Sequence, residues 1–280
     1  MQCIVKFCIR WVSCLFGLMA LPGASAQTVH IAHCLAGCPE GAPAANEIVV
    51  RQLFAASINH QTGLADWVAY RVLPGSVGVA SLLPREWLPE ELLTQQSVQE
   101  VAVEPRFMQP DISNLQDRDY RITEVIINPE DRGMLAPMSS FAGTPYWDDL
   151  NYLSNMAPLP AALRLGSWSR LDQAINELAS RIGDVFVVSG PLPVGADLNS
   201  GAAVSNGVPA AFYKFVATAS ANAVFIFRAT APVHSSFCDG EASLDQLQEL
   251  SGLDFLPGVS QSSNESLYGL LGCNANMQQE

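Results

Sequence analysis

The chain has 280 residues, 14 of them basic and 27 acidic, for a net charge of −13 at pH 7. That length suits one domain with a sizeable core, because chains tend to split into separate cores beyond roughly 250–300 residues. The acidic surplus argues against a protein whose affinity for nucleic acid comes from total charge, since such binding rests on Lys and Arg neutralising phosphates. It leaves the local field of a single site open, and it also serves solubility.

The chain opens as a secretory signal. Lys6 and Arg10 precede an apolar stretch from Trp11 to Leu21, and Ala24-Ser25-Ala26 fits the small-residue cleavage pattern. Residues 1–26 are therefore expected to be removed near Ala26, leaving residues 27–280 as one soluble domain, secreted or periplasmic. Cleavage takes away both Lys6 and Arg10 and no acid, so the mature balance is 12 basic against 27 acidic residues, a net −15, with Lys214 the sole mature lysine. Cys3, Cys8 and Cys14 leave with the signal, and Cys34, Cys38, Cys238 and Cys273 remain. An even cysteine count in an exported chain implies disulfides. Cys34 and Cys38 are close enough to pair locally, which leaves Cys238 for Cys273, closing a loop of about 36 residues worth about 4 kcal/mol in the chain-entropy model. The rival, His33 with Cys34 and Cys38 as metal ligands, lacks a fourth ligand nearby.

Glu47 to Phe54 and Leu64 to Val72 are β-rich runs with turn residues from Asn59 to Gly63 between them, which predicts a hairpin. Leu73 to Arg118 is proline-rich and loop-like, and Glu86 to Glu104 carries five acids and no base, the pattern of a solvated excursion. Arg121 to Asn128 alternates and is β-branched, predicting a strand that ends at Pro129. Residues 135 to 165 form a connection too long to be structureless unless it builds a site. Trp168, Leu171, Ile175, Leu178 and Ile182 then recur at helical steps, with Ser167 as the expected N-cap and Gly183 as the stop. Asp172, one turn after Trp168, projects from nearly the same side. Asp184 to Gly190, Ala210 to Thr218 and Ala223 to Ala229 read as strands. Gly190 to Gly195 reads as a loop, and Ser243 with Gln246 opens a short helix through Leu250.

Three stretches carry a resemblance. Asp131-Arg132-Gly133-Met134, then Leu150-Asn151-Tyr152-Leu153-Ser154-Asn155, then Trp168-Ser169-Arg170-Leu171-Asp172 resemble the heart of the DNA/RNA non-specific endonucleases, the secreted branch of the His-Me finger (ββα-metal) nucleases. The resemblance runs from Cys34 to Cys273. It implies an α+β fold with a central antiparallel sheet, packed helices and a ββα site, together with the same two disulfide pairings. It also implies nucleic acid as partner and Mg²⁺ as cofactor, held through one asparagine and mostly water, as the hard octahedral chemistry of Mg²⁺ favours.

Hydrolysis of a phosphodiester needs a base for water, a cation for the developing charge and groups that position the phosphate. The family's base is a histidine after Asp-Arg-Gly, where this chain has Met134, and a thioether takes no proton at neutral pH. The metal asparagine stands in a Leu-Asn-x-x-x-Trp element that reads Leu163-Arg164-Leu165-Gly166-Ser167-Trp168 here, and Arg164 offers only donors. The family glutamate that orients metal-bound waters is Asp172, the glutamine after Ala157-Pro158 is Leu159, and the arginine four residues past the acid is Asn176. Arg85, in Arg85-Glu86-Trp87, matches a family element whose arginine reaches the scissile phosphate.

Each retained residue has a plainer reading. Arg132 serves equally as a phosphate clamp or as an ion-paired loop arginine beside Glu130 and Asp131. Asn155 reads as a loop-bracing amide before a ligand. Asp172 reads as a helix salt-bridge partner of Arg164 or Arg170. His60 sits in a turn, and whether it reaches the site is open. Three functions follow: a family member that has lost efficient hydrolysis and binds nucleic acid weakly and salt-dependently, an active phosphodiesterase in which Arg164 replaces the metal, or a non-catalytic interaction protein.

Overall fold

The computed structural model describes residues 31–60, 64–85, 88–93, 120–122, 125–127, 132–192, 209–258 and 265–273. Its strands are β1 (Glu47–Val50), β2 (Phe54–Ile58), β3 (Ala65–Val72), β4 (Tyr120–Ile122), β5 (Val125–Ile127), β6 (Arg132–Met134), β7 (Met156–Pro158), β8 (Val185–Pro191), β9 (Ala211–Ala217), β10 (Ala221–Arg228), β11 (Glu241–Ala242) and β12 (Glu265–Ser266). The longest helices are α1 (Ser169–Ile182) and α2 (Leu244–Ser251).

An eight-stranded sheet in the order β1-β2-β3-β8-β9-β10-β11, with β12 added beside β10, forms the centre. Every pairing in it is antiparallel except β10 with β12. The expected α+β class with a central antiparallel sheet is what the chain adopts. Both faces of the middle strands are covered. On one, Tyr70, Val187, Phe212, Val216 and Phe225 pack against Leu171, Ile175 and Leu178 of α1. On the other, Trp67, Ala69, Tyr213, Phe215 and Val224 pack against Leu247, Leu253, Phe255 and Cys34. A strand buried on both faces needs apolar residues at every position, which is why Val185 to Val188 and Ala211 to Ala217 read as near-continuous apolar runs.

Several expectations are corrected. The run from Glu47 to Phe54 is two strands: the chain turns back at Arg51 to Leu53, β1 pairs with β2, and β2 rather than the whole run pairs with β3. Arg121 to Asn128 is likewise divided, with β4 and β5 paired to each other. The acidic stretch is not wholly solvated, because Glu90 and Leu93 are buried. Helix α1 begins at Ser169, and Ser167 lies in a kinked segment before it and caps nothing. Ile182, expected on the buried face, is 48% exposed as the last residue of α1 before Gly183. The tract from Gly190 begins inside β8, which continues to Pro191. Ser243 does cap α2, accepting a hydrogen bond from the Gln246 N–H at 3.1 Å.

Candidate functional site

The site is assembled on the α1 face of the sheet from β6, β7, the three 3₁₀ turns Met138–Ser140, Trp147–Asn151 and Leu153–Asn155, and the start of α1. β6 and β7 run antiparallel, with Arg132 opposite Pro158, Gly133 opposite Ala157 and Met134 opposite Met156. A Cβ at Gly133 would come 2.5 Å from Leu159 Cβ, so the hairpin closes over buried Leu159 only because position 133 has no side chain. Met134, at the end of β6, is half-buried and packs against the apolar core.

The connection after β6 is stitched by amides. Asn155 is fully buried. Its Oδ1 accepts from the Ala136 N–H at 2.8 Å, and its Nδ2 donates to the Ala136 and Leu150 carbonyls, each at 3.0 Å. Leu135 N–H donates to the Asn155 carbonyl at 2.9 Å, so backbone and side chain of one residue hold both ends of the loop together. Asn176 of α1 does the same lower down: its Oδ1 accepts from Ser140 Oγ at 2.6 Å and its Nδ2 donates to Ser139 Oγ at 3.3 Å.

Between residues 164 and 168 the helical path kinks at Gly166, whose φ of −100° and ψ of −119° are not helical. The cause is a close crossing: a Cβ at Gly166 would lie 2.6 Å from the Val233 carbonyl oxygen. Ser167 Oγ donates to the Ser235 carbonyl at 2.8 Å, and the Arg170 guanidinium donates to the Val233 carbonyl at 3.0 Å and to that of Ser235. Arg164 stands at the start of this kink, with its N–H bonded to the Pro160 carbonyl at 2.8 Å.

Asp172 is not the partner of Arg164 or Arg170. It faces inward from α1, and its Oδ1 accepts a hydrogen bond from Lys214 Nζ on β9 in a buried ion pair. Arg170 lies on another side of the helix, committed to the carbonyls just named. The Lys214 ammonium also lies 4.1 Å from the centre of the Trp168 ring and 3.5 Å from Tyr70 Oη. Burial raises the Asp172 pKa, and the Lys214 charge works the other way. Burial lowers that of Lys214, with Asp172 opposing. Burial and then the Asp172 charge push the Tyr70 hydroxyl well up. Sequence reasoning missed this pair. The available signal was a lone lysine in the middle of an otherwise apolar strand.

Arg85 is exposed, three residues before the bridge that Leu88 makes with Tyr152. Arg132 contributes its backbone to β6, and its side chain lies outside the described residues, as do Glu130 and Asp131. His60 Nε2 is 3.5 Å from Glu47 and is thus drawn to β1. His33 Nε2 bonds the Arg51 carbonyl at 3.0 Å, and Cys34 is joined to Cys38, so these three form no metal site. Cys238 is joined to Cys273, completing the two expected pairings. Among the described residues, the one cluster of three His, Cys, Asp or Glu ligand atoms is Cys238, Glu241 and Cys273, of which the two cysteines are this disulfide. No helix among the described residues is long and apolar enough to cross a membrane.

The family model for the DNA/RNA non-specific endonucleases, a family of metal-dependent nucleases, matches residues 38–262. A nuclease of Serratia marcescens is 30% identical over 276 residues, spanning 92% of this chain and 96% of that protein. A nuclease of a Nostoc species is 24% identical over 256 residues, spanning 84% of each. Among solved structures, EndoG in its complex with EndoGI superposes with a TM-score of 0.57 at 18% identity, covering 80% of this chain and 91% of that one, a likeness of fold. With the ββα unit in place and the family model spanning most of its length, the chain belongs to the DNA/RNA non-specific endonuclease family.

Proposed function

We propose that this family member is an exported protein that binds nucleic acid weakly through a few arginines and hydrolyses it at a rate near background. The observation that carries the proposal is Met134 at the end of β6. The position that resembles the family's general base holds a thioether seated against the core, and the roughly 10²–10⁴ that such a base supplies has no source there.

The groups at the positions resembling the family's metal site, and the buried Asn155 amide beside the loop after β6, fit a bound divalent cation poorly. Arg164, at the position resembling the metal asparagine, carries positive charge. At about 4 Å it would repel a divalent ion by about 8 kcal/mol at an effective dielectric near 20. Asp172 gives its Oδ1 to Lys214, and the Asn155 amide is bonded to the loop backbone, so neither replaces the ligand missing at Arg164. The Mg²⁺ expected from the resemblance therefore has no role in the proposed function. Export is supported by the two disulfides, which persist in oxidising compartments, and by the signal pattern of residues 1–26, which lie outside the described residues.

A plasmid-nicking assay with Mg²⁺ and with EDTA tests the catalytic half. The expected result is cleavage near background in both, and robust Mg²⁺-dependent nicking by the unmodified protein would overturn it. Oligonucleotide binding tests the other half: affinity should be weak, fall steeply with salt and vanish when Arg85, Arg132 and Arg164 are all replaced by alanine. Unchanged affinity in that triple variant would place any binding elsewhere.

A further inference from the structure

A second ion pair, far from Lys214 in sequence and made by none of the residues assigned above, holds two parts of the site together. Arg51, in the turn between β1 and β2, grips Glu90 with two hydrogen bonds, Nη2 to Oε1 at 2.6 Å and Nε to Oε2 at 2.9 Å. The Arg51 side chain is 10% exposed and that of Glu90 not at all. The guanidinium also lies 3.1 Å from the centre of the Tyr152 ring, and its Nη1 is 3.5 Å from Asp149 Oδ1. Glu90 in turn accepts from Ser154 Oγ at 2.5 Å and from the Leu92 N–H at 3.1 Å. Three consecutive parts of the site loop, at Asp149, Tyr152 and Ser154, thus converge on this one pair.

Its reach extends both ways along the chain. Ser154 precedes Asn155, whose amide spans the backbone of Ala136, two residues beyond Met134. Leu88, two residues before Glu90, donates its N–H to the Asn151 carbonyl at 2.9 Å and accepts from the Leu153 N–H at 2.9 Å. Arg85 lies just upstream of that bridge. The pair sits where the segment carrying Arg85 meets the loop carrying Asn155.

We propose that Arg51 and Glu90 form a positioning clamp that sets the Arg85 segment against the loop behind Met134, and thereby the geometry with which the site takes a nucleic-acid phosphate. The proposal rests on the binding function proposed above. A bidentate, stacked guanidinium suits the task because its planar fork fixes direction as well as distance, which a lysine cannot do. The clamp acts without touching phosphate, since Glu90 is buried and the Arg51 guanidinium is committed to Glu90, Asp149 and the Tyr152 ring.

Arg51→Lys and Glu90→Gln, each checked for folding by near-UV circular dichroism, test it through two readouts. Amide exchange should speed at least tenfold at Leu88, Leu135, Ala136 and Leu153, and remain unchanged in β8 and β9. Affinity for a single-stranded oligonucleotide should fall about tenfold in Arg51→Lys while its dependence on salt keeps the same slope. Arg85→Ala should instead flatten the slope by about 0.7 for the one lost phosphate contact. If Glu90→Gln does not fold, Asp149→Asn, which takes the charge from the longest contact and leaves an amide oxygen that can face either Arg51 or the Gln52 N–H, should give the same pattern at two- to threefold. Unchanged loop exchange in the variants would overturn the clamp, and so would faster exchange with unchanged affinity. Absence of binding by the unmodified protein would overturn the proposed function, and with it any role of the clamp toward phosphate.

Discussion

The two faces of the central sheet are built from the same strands by opposite rules. The face toward α2 is almost wholly apolar, from Trp67 and Ala69 through Phe215 to Leu247 and Phe255, with Ser57 as its buried polar strand residue. The face toward α1 buries Ser140, Asn155, Asp172, Asn176, Ser189 and Lys214 within a few strand widths. Each of these has a named partner, as buried polar groups must. Ser189 Oγ, for example, donates to the Leu135 carbonyl at 3.0 Å, tying β8 directly to the loop after β6. One face stabilises by area, and the other spends part of that gain on holding a loop in one shape. On the function proposed above, the polar face is a scaffold retained around a changed reacting centre.

The largest expected effect would re-equip the polar face. Met134→His together with Arg164→Asn should gain Mg²⁺-dependent plasmid nicking by at least about 10², the lower bound for restoring a base. Either change alone should gain little, because parts of a catalytic unit are strongly non-additive. A single variant as active as the double would show that the two positions act separately.

The next effect separates the faces by stability. Lys214→Met leaves the Asp172 carboxylate buried without its cation and should cost about 3–5 kcal/mol in urea unfolding, while Lys214→Met with Asp172→Leu should recover most of that loss. A double variant as unstable as the single one would mean that the pair contributes shape which apolar side chains cannot replace. Burial raises the Asp172 pKa and lowers that of Lys214, each partner's charge opposing the shift, as expected of an ion pair whose desolvation offsets its attraction.

The smallest effect lies at the rim of the apolar face. Burial lowers the His33 pKa below its usual 6.5, against the hydrogen bond to the Arg51 carbonyl. A depressed folded pKa means the unfolded chain binds the proton more readily, so the contribution is complete above about 6.5 and is lost as pH falls through the lower folded value. His33→Gln should flatten the decline of the urea midpoint over that acid window. An equally steep decline in the variant would assign it to other groups.

Local chemistry made much of this legible before any coordinates. The apolar runs located β3, β8, β9 and β10, and the three- and four-residue spacing located α1. Its end at Gly183 and the Ser243 cap of α2 were also readable, because capping and turn preferences act within a few residues. The motif residues identified the ββα unit. What misled was locality itself. Nothing near Arg51 marks it as a turn, nothing in an acidic, proline-rich stretch marks Glu90 as buried, and Asp172 has two arginines close in sequence that it does not use.

Sequence alone was sufficient for fold class, family and the two disulfides, because periodicity, motif spacing and cysteine number are properties of the chain. The partners of the buried charges required the assembled fold. Lys214 meets Asp172, and Arg51 meets Glu90, across 42 and 39 residues of chain, and both pairs depend on which side of a strand or turn faces inward once the sheet has closed. A one-residue change of strand register would reverse that facing, and register is set by packing over the whole sheet. The same long-range packing holds Met134 against the core at the end of β6, at the position where the family's reacting group is expected.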